Sequence, residues 1–145
     1  MSNYVVVIVV AILGGVAAVV QAQLNGIMDE GMGTVESVFV TYGVGGIVIA
    51  LVMLILRGGN LSVLRTLPWY VIFAGLCGLV IIGSISFTVP RLGLVAAITL
   101  LIASQFAFGA IIDHFGLIGA EIRPLTPQKV AGVVVLLFGV WLIVR

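Results

Sequence analysis

The chain is 145 residues long, and 63% of them are hydrophobic against 8% charged. Six basic and five acidic side chains cannot solvate the surface of a water-soluble globule, and the mean hydropathy is +1.42. These figures exclude a soluble enzyme, a disordered chain and a disulfide-stapled secreted domain, and a net charge of +1 leaves no basic patch for nucleic acid.

The remaining class is an all-α membrane protein, because helices satisfy their backbone groups without water. No charged side chain lies between Met1 and Met28. The first span is expected at about residues 4–26, long enough to cross a hydrocarbon core. No Lys or Arg precedes it, which disfavours a cleaved leader. Asp29, Glu30, Gly31 and Gly33 read as the first loop. Thr34 is the expected N-cap of the next helix, with Glu36 in its first turn, where the dipole favours an acid.

The second span covers about residues 35–56 and stops at Arg57-Gly58-Gly59-Asn60. The third, about 68–89, opens on Pro68 with Trp69 and Tyr70 as interfacial anchors, and closes on Pro90 and Arg91. Its single Cys77 reads as packing and has no intrachain partner. The fourth span, about 92–112, meets Asp113-His114-Phe115-Gly116. Thr126-Pro127 reads as N-cap and first helical residue of the fifth, about 129–144. These spans leave room for one transmembrane domain and no soluble one.

Five spans put the termini on opposite sides. Arg57, Arg65, Arg123 and Lys129 share a side with the N-terminus, and Arg91 and Arg145 lie on the other. The positive-inside rule then gives N-terminus in, C-terminus out. The bias is small, so the same chain is open to insertion in both senses. Two opposed copies make an antiparallel homodimer of ten helices, with the inverted symmetry from which alternating access follows. The other reading is one fixed orientation and an oppositely oriented homologue as partner.

Polar residues within the spans mark the candidate pathway. Gln21 and Asn25 fall on one stripe with Gly14 and Ala18, while Gln23 points the other way. The two amides either line a hydrated cavity or join helices. Ser37, Thr41 and Gly45 form a second row, whose hydroxyls can also bond back to their own helix. Gly75, Gly78, Gly83 and Ser86 share a broad face read as close packing. Gln105, Gly109 and Asp113 recur every four residues, and Gly132 and Gly139 suggest a packing surface.

No carboxylate lies deep in a span. Asp113 and Glu36 sit at span ends, and Asp113 has Arg123, Arg65 and Arg57 as candidate partners on its side. With His114, which titrates in a useful range, they are the candidate gate or proton site. The other reading of Asp113-His114 is a wet helix end. One His, one Cys and no paired acids within a span supply no catalytic set, no metal ligands and no cofactor motif.

The ordered motifs resemble a known family. They are Gly14 and Gln21-x-x-x-Asn25, then Gly33, Ser37-Val38-Phe39 and Gly45, then Pro68-Trp69. Pro90-Arg91-Leu92-Gly93, Gln105, Asp113-His114-Phe115-Gly116-Leu117-Ile118-Gly119, Arg123-Pro124-Leu125-Thr126 and Gly132 complete the series. Together they resemble the YdcZ-like family of short bacterial inner-membrane proteins, in the drug/metabolite transporter superfamily. Ser104 stands where that family commonly has Gly, a small-for-small departure.

The resemblance implies five helices per chain, pairs of opposite orientation, a multi-pass inner-membrane location and a transport role. It carries over no binding set. The expected function is secondary transport of a small neutral, zwitterionic or charge-delocalised solute. Its path would pass Gln21, Asn25, Ser37, Thr41 and Gln105, with Gly14, Gly75, Gly78, Gly132 and Gly139 packing helices. The expected partners are lipid, the solute, and a second copy or opposed homologue. A passive small-ion channel of dual topology and a non-transporting assembly subunit are the rival readings.

Overall fold

A computed structural model describes residues 2–56 and 59–145. Arg57, expected to end the second span and offered as a partner for Asp113, lies outside the described residues. The described residues form five helices, α1 (Ser2–Met32), α2 (Thr34–Ile55), α3 (Ala74–Leu92), α4 (Leu94–Phe115) and α5 (Pro127–Val144), with 3-10 turns between α2 and α3 and between α4 and α5. All five lie in stretches long and apolar enough to cross a membrane. Runs such as Val5–Val10 are β-branched, yet they are helical. Their propensity is worth tenths of a kcal/mol per residue, whereas an unpaired backbone group in lipid costs several.

Helix ends depart from the expected spans in informative ways. The 31 residues of α1 extend about 46 Å, beyond a hydrocarbon core of about 30 Å. Its last turn contains Asp29 and Glu30, so the expected first loop shrinks to Gly33. There the chain reverses at φ 100°, a conformation open to glycine and costly for other residues. Gly33, not Thr34, is the N-cap of α2, and the Thr34 hydroxyl donates to the Asp29 carboxylate instead.

The third span begins with a 3-10 run at Trp69–Phe73 before α3 proper. Trp69 meets Tyr70 and Phe73 edge-on at ring separations of 6.2 and 5.8 Å. The helix then runs through Pro90 to Leu92 rather than closing on the proline. Pro90 has no N–H for the Ser86 carbonyl. One residue later, the Arg91 guanidinium donates to the Phe87 carbonyl at 2.6 Å and stacks over the Phe87 ring. Gly93 at φ 82° ends the run, and Gly116 at φ 62° ends α4 in the left-handed conformation. Thr126 caps α5 as expected, accepting from the Lys129 N–H at 3.3 Å.

The chain divides into two compact units, Met1–Arg91 and Leu92–Arg145. In the first, α1 and α2 run antiparallel, and α3 closes on both near the Gly33 reversal. Ile82, Ile85, Ser86 and Val89 are the buried stripe of α3, spaced to share one helical face. Gly26 admits Val89, and a Cβ there would lie 2.7 Å from Val89 Cγ1. In the second unit, α4 and α5 form a helical hairpin joined by the loop 116–126.

Candidate functional site

The first unit holds a buried polar cluster where its three helices meet. Asn25 of α1 is 1% exposed, and Ser37 of α2 and Ser86 of α3 are fully buried. Thr41 donates to Asn25 Oδ1 at 2.6 Å, and Ser37 donates to the Asn25 backbone carbonyl at 3.2 Å. The Ser37 and Ser86 hydroxyls lie 3.1 Å apart. Each bond joins different helices, so the cluster fixes their register where apolar contacts alone discriminate little.

The cluster is not fully satisfied. Asn25 Nδ2 is buried and has no partner among the described residues. Turning the amide over would offer its NH2 to Thr41 and leave the oxygen bare. Either way, half of a buried amide is unmatched, a penalty of about 1–3 kcal/mol.

One turn from Asn25, a charged lock closes this end of the unit. Asp29 accepts from Arg91 at 3.1 Å and from the Thr34 hydroxyl. Its side chain is 5% exposed while that of Arg91 is 49% exposed, so the arginine shields the acid from one side.

Gln21 and Gln105 stand apart from these bonded groups. Gln21 is exposed on an open face of α1 with Gly14 and Ala18, so its stripe with Asn25 does not share one environment. Gln23 is also exposed.

Gln105, at mid-length of α4, opens into a groove within the second unit. From α4 come Gln105, Phe106, Gly109, Ala110 and Asp113; from α5, Lys129, Gly132, Val133 and Leu136. With Leu125 they surround about 710 Å³. The lining positions recur at helical spacing, so each helix contributes a single face. Asp113 stands two turns from Gln105 along α4, about 12 Å away.

Neither charged side chain of this groove forms an ion pair among the described residues. The described residues hold two ion pairs, Arg91–Asp29 and Arg123–Glu121, and neither uses Asp113 or Lys129. Arg123 instead donates its backbone N–H to the Asp113 carbonyl at 2.8 Å. His114 Nδ1 accepts from the Leu125 N–H at 3.2 Å, and its ring meets Phe115 edge-on. These two bonds tie the loop across the end of α4. Glu36 is exposed in the first turn of α2.

Among the expected packing glycines, Gly78 faces Tyr42, whose hydroxyl an added Cβ would overlap. Gly132 lines the α4–α5 groove. Gly14, Gly75 and Gly139 have open space beside them within their units. Sequence reasoning placed Ser86 on a packing face without its hydroxyl contact. It also missed Lys129 and the Asp29–Arg91 lock. The signals were present: Asp29 and Arg91 fall on the same expected side, and Lys129 precedes Gly132 by one helical turn.

The sequence model of one family, described as "Putative inner membrane exporter, YdcZ", matches residues 6–142. Comparison with curated proteins and with solved structures gives no match. The family match spans nearly the whole chain, and the chain belongs to the YdcZ family. It is a multi-pass inner-membrane protein of a transporter class.

Proposed function

We propose that this YdcZ-family chain is one half of an antiparallel pair that carries a small organic solute by alternating access. Two supports are the odd number of candidate spans and the four-to-two division of basic residues. A weak charge bias permits both insertions, and opposed copies acquire inverted-repeat symmetry. In the orientation this division favours, the N-terminus is cytoplasmic.

The observation that carries the reading is Gln105. It places an amide at the middle of an apolar helix, inside a groove large enough for a small solute. A polar group at that depth is costly unless it serves a partner, a pathway or both. We assign Gln105 of the second unit to the solute's path, together with Gln21, Asn25, Ser37 and Thr41 of the first. The unmatched half of the Asn25 amide supports that assignment for the buried cluster. Asp113, His114 and Glu36 are the groups open to gating or proton coupling, and the open faces of Gly14, Gly75 and Gly139 are surfaces for the second copy.

The test is solute counterflow into liposomes containing purified protein, screened over neutral, zwitterionic and delocalised-cation panels. Saturable exchange is expected, and Gln105→Ala is expected to lower it at least tenfold without altering the assembly's size. Ungated ion flux at channel rates, or full exchange by Gln105→Ala, contradicts the assignment.

A further inference from the structure

The groove between α4 and α5 joins an apolar trough to two opposite charges, neither in an ion pair among the described residues. Asp113 lines it from the last turns of α4 and Lys129 from the first turn of α5. Both belong to the same lining, yet they form no ion pair with each other. Phe106, Ala110 and Val133 continue the groove as apolar wall toward mid-membrane. Such an arrangement suits an occupant with an anion, a cation and an apolar body, because each part finds its complement on one face.

We infer that the α4–α5 groove binds a zwitterionic amphiphile, its cationic group at Asp113, its anionic group at Lys129 and its apolar part along Phe106 and Val133. This assignment rests on the transport reading and narrows the solute to that class. A singly charged amphiphile satisfies one side chain and leaves the other facing a like charge or nothing. Two opposite charges therefore select against both kinds of ion.

Three probes with one tail test this: hexylphosphocholine, hexyltrimethylammonium and hexyl phosphate. Each is titrated against the purified full chain in a neutral maltoside, with the thermal unfolding midpoint as readout. The zwitterion is expected to bind about fivefold more tightly than either ion, the scale of one partly exposed charge contact. Asp113→Asn is expected to lose selection against the phosphate, and Lys129→Gln selection against the ammonium. Lys129 lies on an exposed turn, so its variant keeps the test open if Asp113→Asn misfolds.

The paired reversal Asp113→Lys with Lys129→Asp is expected to restore preference for the zwitterion. Equal binding of all three probes by the wild type, or unchanged preference in either folded single variant, overturns the assignment. Selective binding with no exchange in liposomes would defeat transport and leave the groove's occupant standing. Exchange of another solute by protein that shows no probe preference would do the reverse.

Discussion

The Thr41 hydroxyl donates to the Asn25 side-chain oxygen at 2.6 Å, one turn along α2 from the Ser37 hydroxyl that donates to the Asn25 backbone. One buried residue of α1 is thus held twice by α2. Removing the first bond with Thr41→Val leaves the whole Asn25 amide unmatched. The expected loss is about 1–2 kcal/mol, read as a lower unfolding midpoint in detergent. Ser37→Ala removes a contact to α1 and another to α3, so its loss is expected to be at least as large. A midpoint unchanged in both variants would contradict the cluster's structural role.

Close approach of α1 and α3 depends on Gly26. A Cβ there meets Val89 Cγ1 at 2.7 Å and Pro90 Cδ at 3.6 Å, whereas one at Gly31 meets nothing within 4 Å. Gly26→Ala is therefore expected to destabilise by about 1–3 kcal/mol, the usual range for overpacking. Gly31→Ala is expected to leave the midpoint within about 0.5 kcal/mol of wild type or raise it slightly. Adding Val89→Ala to Gly26→Ala should recover part of the loss. Equal effects at Gly26 and Gly31 would show that the two helices do not meet there.

The loop 116–126 is tied to α4 through His114, whose Nδ1 accepts from the Leu125 N–H. His114→Ala removes that acceptor but leaves the Asp113 backbone carbonyl, which accepts from Arg123. Hydrogen exchange is therefore expected to quicken at the Leu125 amide and to change little at Arg123. Uniform loss of protection would mean that the imidazole holds the whole loop rather than one amide.

The spans were legible because lipid makes a blunt demand: long runs without charge, bounded by charge, glycine or proline. The ends were harder to read. Asp29 looked like loop because it is charged, but α1 outlasts the hydrocarbon core and carries it in a helical turn beside Arg91. Pro90 looked like a stop, but α3 runs two residues past it to Leu92. Gly93, at positive φ, ends the helix.

The polar residues were only partly legible. Helical spacing put Gln21 and Asn25 on one stripe, yet Asn25 is buried and Gln21 exposed. A step of four residues drifts by about 40° round the helix. The contacts that bury Asn25 also gather near the Gly33 reversal, a long-range property that one helix's period does not encode. The row Gln105, Gly109 and Asp113 does line a common groove. Its complement, Lys129, lies beyond a loop whose fold no local pattern specifies.

Opposed insertion is most directly tested with one thiol. Cys77→Ser removes the native cysteine, and Ser62→Cys places a new one on the exposed turn between α2 and α3. An impermeant maleimide is then applied to sealed vesicles of known orientation, from outside and after lysis. Antiparallel homodimers predict that about half of the thiols react from each side. Reaction of every copy from one side, in protein expressed alone and still exchanging solute, would contradict the account.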